Sequence, residues 1–260
     1  SIVVAHGLFG SKQNWRSIAR AMAAKWGLDV WAVDLRNHGT SPHASSMTYS
    51  EHAADLSAFF AQHGLEHVAL VGHSMGGKTV QTLALSRVGE PTHPLHSLVS
   101  VDMAPARGSL SPEFARYMDA MVEIEEAKCA SRKDADEIMQ RTEPDAGVRS
   151  FLLTNLERRK DAAHWSFRIP VRSLQTQLPA LGDFPFDAPG QEEAGSGRPV
   201  RSWDGPTLFM KGAKSKYINR RNIPICDAYF PNAQHVSLDA GHWVQAERPN
   251  EFQEVLGRFL

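Results

Sequence analysis

The segment His67 to Gly77, HVALVGHSMGG, constrains this chain more than any other. A short apolar run passes through Gly72-His73-Ser74-Met75-Gly76 into a helical pattern, so the chain turns from strand to helix at a serine. Such a turn forces Ser74 into a strained backbone region, and the flanking glycines let strand and helix approach closely. The hydroxyl is then lifted above the end of a sheet. The same turn aims the first helical N–H groups, that of Met75 among them, at whatever the serine attacks, where the helix dipole favours a developing negative charge. A bare G-x-S-x-G is a weak signal, and an ordinary glycine-rich turn after a strand is the alternative.

The surrounding pattern favours the first reading. Short β-branched runs alternate with longer helical ones, the rhythm of an α/β fold: a mostly parallel sheet with helices on both faces. Strands are expected at Ile2 to Ala5, Val30 to Leu35, Val68 to Val71 and Leu98 to Val101. Helices are expected at Asn14 to Trp26, from Thr48 onward, and at Thr79 to Val88. Thr48 with Glu51 three residues on reads as a capping box. After Met103 the rhythm breaks for about a hundred residues. Helical patterns appear near Pro112 to Ala127, Asp134 to Gln140 and Val148 to Arg158, with no convincing strand, followed by an irregular return loop rich in Pro, Gly, Asp and Glu from Leu178 to Trp203. Strands resume at Thr207 to Met210 and His235 to Leu238, and a helix over Pro249 to Leu260 closes the chain. The expected division is therefore a core in two parts, 1–104 and 204–260, with an inserted helical cap over 105–203.

Chemistry-bearing residues gather at the strand ends. His6-Gly7-Leu8-Phe9-Gly10 ends the first strand, where a glycine-rich bend turns a backbone N–H, that of Leu8, toward the same oxyanion; a tight turn with His6 merely hydrogen-bonded is the alternative. Asp239-Ala240-Gly241-His242-Trp243 follows the last strand. An imidazole there reaches a serine on another strand end, takes its proton and returns it to the leaving group. Among the twelve histidines, His38, His73 and His164 read as hydrogen-bonded structural groups, and His63, His67, His93 and His96 as solvated or capping ones. The orienting carboxylate should lie between serine and histidine in chain order. Lys211 to Tyr217 contains no acid, whereas the strand before it ends in Asp102, which is therefore the expected third member. A loop cap is the alternative role for Asp102.

Composition removes several other classes. Lys+Arg 28 against Asp+Glu 29 gives a net charge of −1, which leaves little field to recruit nucleic acid or an acidic membrane surface. No run approaches the roughly 18 apolar residues a membrane span requires. Cys129 and Cys226 lie far apart with no ligand spacing around them, against a disulfide scaffold or a zinc site, and both are expected to be reduced. No metal or cofactor is expected, because the side chains and backbone groups already named suffice for acyl transfer. The chain opens at Ser1, directly on an apolar run, so a natural N-terminal part carrying any targeting signal is expected upstream.

The tracts HGLFG, DLRNHGTSP, GHSMGG and AGHW followed by Glu247-Arg248-Pro249 resemble the α/β-hydrolase superfamily over nearly the whole chain. Within it, HGLFGSKQNW, VDMAP, FRIPV and GAKSKYI are similar to the branch that holds abhydrolase-domain-containing protein 11, small bacterial esterases and ethanol acetyltransferases. The superfamily commonly carries its acid after the strand before the last, where Ser215 stands here. The branch places it one strand earlier, in agreement with Asp102. The resemblance implies a serine hydrolase for a small-molecule ester or thioester, with Ser74, Asp102 and His242 catalytic and the N–H groups of Leu8 and Met75 as oxyanion donors. It implies a fold-stabilising role for Arg36, with anion binding as the alternative. It also implies a further strand pair before Ser1 and, for eukaryotic members, a mitochondrial location. Ser74 argues against haloalkane dehalogenases and epoxide hydrolases, which need a carboxylate there. An alcohol acyltransferase, a carbon–carbon hydrolase and a non-catalytic binder remain the other readings.

Overall fold

The computed structural model describes residues 1–158, 160 and 162–260. Residues 159 and 161 of the expected insertion lie outside the described residues. The chain runs Ile2–Ala5 (β1), Lys12–Trp26 (α1), Val30–Val33 (β2), Tyr49–His63 (α2), Val68–His73 (β3), Met75–Ser86 (α3) and Leu95–Val101 (β4). The helices Pro112–Ala127 (α4), Arg132–Gln140 (α5) and Ala146–Leu152 (α6) follow, then the short strands Leu156–Glu157 (β5) and Ser166–Phe167 (β6), and Val171–Gln177 (α7). Thr207–Gly212 (β7), Ile223–Tyr229 (α8), Ala233–Leu238 (β8), Val244–Glu247 (α9) and Pro249–Phe259 (α10) complete it.

Among the described residues, six parallel strands form one sheet in the order β2-β1-β3-β4-β7-β8. The central strands are buried on both faces, so their side chains are apolar without alternation, as a parallel sheet between helices requires. Alternate residues nonetheless go to opposite sides. Ile2, Val4, Val99 and Val101 pack with Trp15, Ile18 and Met22 of α1 and Phe252 and Leu256 of α10. Val3, Ala5, Leu70 and Leu98 face α2 and α3, with Leu56, Phe60, Val80 and Leu83 among their partners. Helices thus cover both faces, as the sequence rhythm predicts.

Local signals set the element ends. Thr48 accepts from the Glu51 N–H while the Glu51 carboxylate accepts from the Thr48 N–H at 2.8 Å, a reciprocal cap worth about 1 kcal/mol. Arg36 is committed to the fold: its guanidinium forks onto Asp55 at 2.7 and 2.8 Å and also reaches the Ser46 carbonyl. Both cysteines are free and buried. No helix among the described residues is long and apolar enough to cross a membrane.

The insertion between β4 and β7 corrects one expectation and extends another. It contains the antiparallel pair β5-β6, although the sequence offers no convincing strand there, because two residues per strand are too few to show a period. The third helical pattern stops at Leu152 and gives way to a 3-10 turn at Leu153–Asn155. There Asn155 donates from Nδ2 to the Phe9 carbonyl at 2.7 Å, tying the insertion to the glycine-rich bend after β1. The return loop is irregular as expected, but anchored. Buried Lys78 donates from Nζ to the carbonyls of Leu181, Gly182 and Asp183, and Arg107 bonds the Phe184 and Phe186 carbonyls and the Asp187 carboxylate.

Four buried histidines make this core sensitive to acid. His6 donates from Nδ1 to the Gly7 carbonyl and accepts at Nε2 from the Leu35 N–H; His38 does the same between the Arg36 carbonyl and the Phe9 N–H. Each is therefore held as the neutral ring. Burial pulls His6 down to about 4, His38 and His73 to about 3, and His52 well below its ordinary value. Their folded pKa values lie below the unfolded one near 6.5, so this stability is complete above pH ~6.5 and is lost as pH falls toward 4 and 3. Each site contributes up to about 1.4 kcal/mol per pH unit in that window. The melting temperature, followed by near-ultraviolet circular dichroism, should fall by roughly 10 °C between pH 7 and 5.5, and a flat profile over that range would contradict the assignment.

Candidate active site

β3 delivers Ser74 into α3 with φ 56° and ψ −118°, the strained turn that the glycine spacing predicts. That backbone costs about 1–3 kcal/mol, and close packing on every side holds it in place. A Cβ on Gly72 would lie 2.2 Å from the Gly76 carbonyl oxygen, and one on Gly76 would lie 2.4 Å from that of Ala5. Only hydrogen fits at these two positions, because β3, α3 and β1 meet there.

Asp102, next after β4, also has a positive φ, 51°, and is fully buried. Its backbone N–H donates to the Met210 carbonyl of β7 at 2.8 Å, which fixes the turn. The side chain then faces the end of the neighbouring strand. Oδ2 accepts from His242 Nδ1 at 2.7 Å and from the Ser215 hydroxyl, and Oδ1 accepts from the Gly212 N–H at 3.1 Å. With Oδ2 as its acceptor, the His242 Nδ1 carries the proton, which leaves Nε2 free to accept one.

His242 lies on the loop between β8 and α9 and is held by two further residues. Tyr217 stacks on its ring at 4.2 Å between centroids and 29° between planes. His73 lies 4.7 Å away on a tilted plane and donates from Nε2 to the His242 carbonyl at 2.8 Å. Burial, and then the neighbouring His242, hold His73 at about 3, so it remains an uncharged donor at neutral pH.

Ser74, His242 and Leu8 line one cavity of about 270 Å³, walled by Phe114 and Phe151 of the insertion and by Trp243. A second, of about 210 Å³, also opens on Ser74 and Leu8 and is lined by Met75. The bend after β1 is a tight turn in which Gly10 N–H bonds the Gly7 carbonyl at 2.9 Å and Phe9 has φ 62°. Among the described residues, neither the Leu8 nor the Met75 N–H has an acceptor. Of the five expected site residues, Leu8, Ser74 and His242 line the first cavity, Leu8, Ser74 and Met75 line the second, and Asp102 lies behind His242, bonded to its Nδ1.

Sequence reasoning missed His73, Gly212, Ser215 and Tyr217 as parts of this arrangement. Residues 211–217 carry no acid, and the structure shows what they offer in its place: an N–H and a hydroxyl for Asp102 and a ring for His242. The absence of an acid at a loop that normally provides one was the available signal. His93, by contrast, bonds the Ala84 carbonyl and stacks on Trp203. Among the described residues no three His, Cys, Asp or Glu side chains group closely enough to hold a metal ion.

A strained serine between a parallel strand and a helix, facing a carboxylate-bound histidine from the last strand end, defines an α/β hydrolase. A sequence model described as the alpha/beta hydrolase fold matches residues 1–249, and the chain belongs to that family. It is 38% identical to the sn-1-specific diacylglycerol lipase ABHD11 of Xenopus laevis, over all of this chain and 79% of the relative. It is 35% identical to a probable alcohol acetyltransferase of Saccharomyces cerevisiae, over all of this chain and 76% of that protein. Among solved structures, one titled marine microorganism esterase superposes with a TM-score of 0.86 at 30% identity, covering all of this chain and 94% of the other.

Proposed function

We propose that this chain is a serine hydrolase that cleaves carboxylic esters or thioesters of small to medium acyl groups through an acyl-enzyme. The observation that carries the reading is the bond from His242 Nδ1 to buried Asp102 at 2.7 Å beside a cavity that Ser74 also lines. Ser74 Oγ attacks the carbonyl carbon while His242 Nε2 takes its proton. The carbonyl oxygen becomes an oxyanion that accepts from the Leu8 and Met75 N–H groups, each donor worth roughly 3 to 4 kcal/mol in the transition state. Collapse breaks the bond to the leaving oxygen or sulfur, which receives the proton from His242. Water then adds to the acyl-enzyme, His242 again accepting and returning a proton, and Ser74 is regenerated. Residues 105–203 act as a cap that walls the reacting bond from water.

A second reading keeps the acyl-enzyme and resolves it with an alcohol, which the likeness to an alcohol acetyltransferase favours. One experiment serves both. A p-nitrophenyl butyrate burst equal to the enzyme concentration, with ethyl butyrate appearing only when ethanol is present, is the result expected if alcohol competes with water. Butyrate alone at all ethanol concentrations would restrict the protein to hydrolysis. Absence of any burst, together with absence of fluorophosphonate labelling at Ser74, would remove the acyl-enzyme.

A further inference from the structure

Several buried side chains carry a polar atom with no hydrogen-bond partner among the described residues, and one of them, Gln245, lines the larger cavity that opens on Ser74. Others, such as Gln81 and Thr82 of α3 and Ser97 of β4, line neither of the two cavities. Gln245 lies on α9, three residues after His242, and is only 7% exposed. Its Oε1 is sealed from solvent without a donor, and Nε2, at the end that is not sealed, has no acceptor. A half-turn of the amide exchanges the two ends and leaves an unpaired one in either setting. A buried amide without a partner is unfavourable, and a methionine of similar length would fill the same space without that penalty.

Three other polar side chains of that cavity are committed to the protein. His6 bonds the Gly7 carbonyl and the Leu35 N–H, His73 donates to the His242 carbonyl, and Tyr117 donates to Glu143. Asn14 and Glu113, which also line it, are more exposed than Gln245. Much of the remaining wall is apolar, with Phe114 and Phe151 from the insertion and Trp243 beside Gln245 in the chain. In such a cavity a single uncommitted amide sets orientation and choice of ligand.

We infer that Gln245 is a specificity-determining residue whose amide exchanges a hydrogen bond with a neutral polar group of the substrate, a hydroxyl or a carboxamide, carried away from the scissile bond. The inference rests on Ser74 being the nucleophile, which brings the reacting carbonyl into the cavity that Gln245 lines. A charged group would lose its water against the apolar wall, and an amide supplies no countercharge. Hydroxyl and carboxamide share the property that matters: each carries a donor and an acceptor, so either setting of the Gln245 amide is met. The favoured substrates are therefore esters or thioesters that bear a hydroxyl or an amide. A hydrocarbon ester of the same size displaces water from the cavity and leaves the Gln245 amide buried and unpaired.

The test uses the intact protein and matched pairs of esters in which a terminal methyl is replaced by hydroxyl, or a terminal isopropyl by carboxamide. One set carries the replacement on the alcohol and the other on the acyl chain. Within each protein the reading is the ratio of kcat/KM for the polar member over the apolar one, which does not depend on how much of the sample is folded. In Gln245→Met the ratio should fall about ten-fold from the parent's in at least one set, with the apolar member turned over as fast as before or faster. A fall confined to the hydroxyl pairs or to the carboxamide pairs supports the inference and identifies the group. The melting temperature of the variant should match or exceed the parent's, since a thioether of similar size has replaced an unpaired amide. Equal ratios in parent and variant across both sets would overturn the inference, and a lowered melting temperature beside them would assign Gln245 to packing. Fluorophosphonate labelling of Ser74 separates the two failures: labelled protein with unchanged ratios sinks this inference alone, and unlabelled parent protein sinks the hydrolase reading beneath it.

Discussion

Turnover of p-nitrophenyl butyrate by a Ser74→Ala variant is expected to fall by about six orders of magnitude, to the background rate. The size of the effect follows from the role. Without Oγ no acyl-enzyme forms, and His242 with the two N–H donors can at most assist direct attack by water. The substitution is also structurally clean. Alanine keeps the Cβ that serine already places at φ 56°, so the strain of the turn is unchanged, and the Ser74 N–H still donates to the Val101 carbonyl at 3.1 Å. Matched far-ultraviolet circular dichroism and melting temperature would establish that only the nucleophile was removed. Equal rates in parent and variant would take Ser74 out of the chemistry and leave the fold as a ligand or partner binder.

Most of the sheet could be read from the sequence because its strands are buried on both faces and appear as short apolar runs bounded by glycine, proline and polar residues. The ends were less legible. α3 begins at Met75, four residues before the periodic run at Thr79, and the intervening Gly76 and Gly77 are poor helix formers that hide its start; Gly76 lies against β1, and Gly77 against Ser100 of β4 and Met103. α7 and α8, with seven residues each, are too short to display a face, and α8 also carries Pro224 near its start. The order of strands, which brings β4 and β7 together and thereby sets Asp102 against the loop after β7, is a property of long-range pairing. Motif and chain order led to Ser74, His242 and Asp102. Nothing local could show that Ser215 donates to Asp102 or that Tyr217 lies on the His242 ring, since those contacts depend on how three loops converge.

Replacing Asp102 with asparagine should lower kcat for the same ester by about four orders of magnitude, by analogy with the measured serine-protease triad, with little change in KM. Three donors point at the carboxylate: His242 Nδ1, the Ser215 hydroxyl and the Gly212 N–H. An amide offers one accepting oxygen where the carboxylate offers two. If that oxygen faces Gly212, the amide N–H₂ meets His242 and forces its proton onto Nε2, where it can no longer accept from Ser74. If it faces His242, the N–H₂ opposes the Gly212 N–H at a fully buried position, and the imidazolium formed during the reaction has lost its countercharge. Ser215 supplies a second arm to the test. Its hydroxyl bonds the same Oδ2 that holds His242, so adding Ser215→Asp to Asp102→Asn returns a carboxylate to within reach of the ring and should recover at least about ten-fold of the lost rate. In the parent background Ser215→Asp should instead be harmful, because two carboxylates would then share one buried space and one of them must take up a proton. Near wild-type turnover in Asp102→Asn would show that His242 needs no buried carboxylate and would remove Asp102 from the catalytic group.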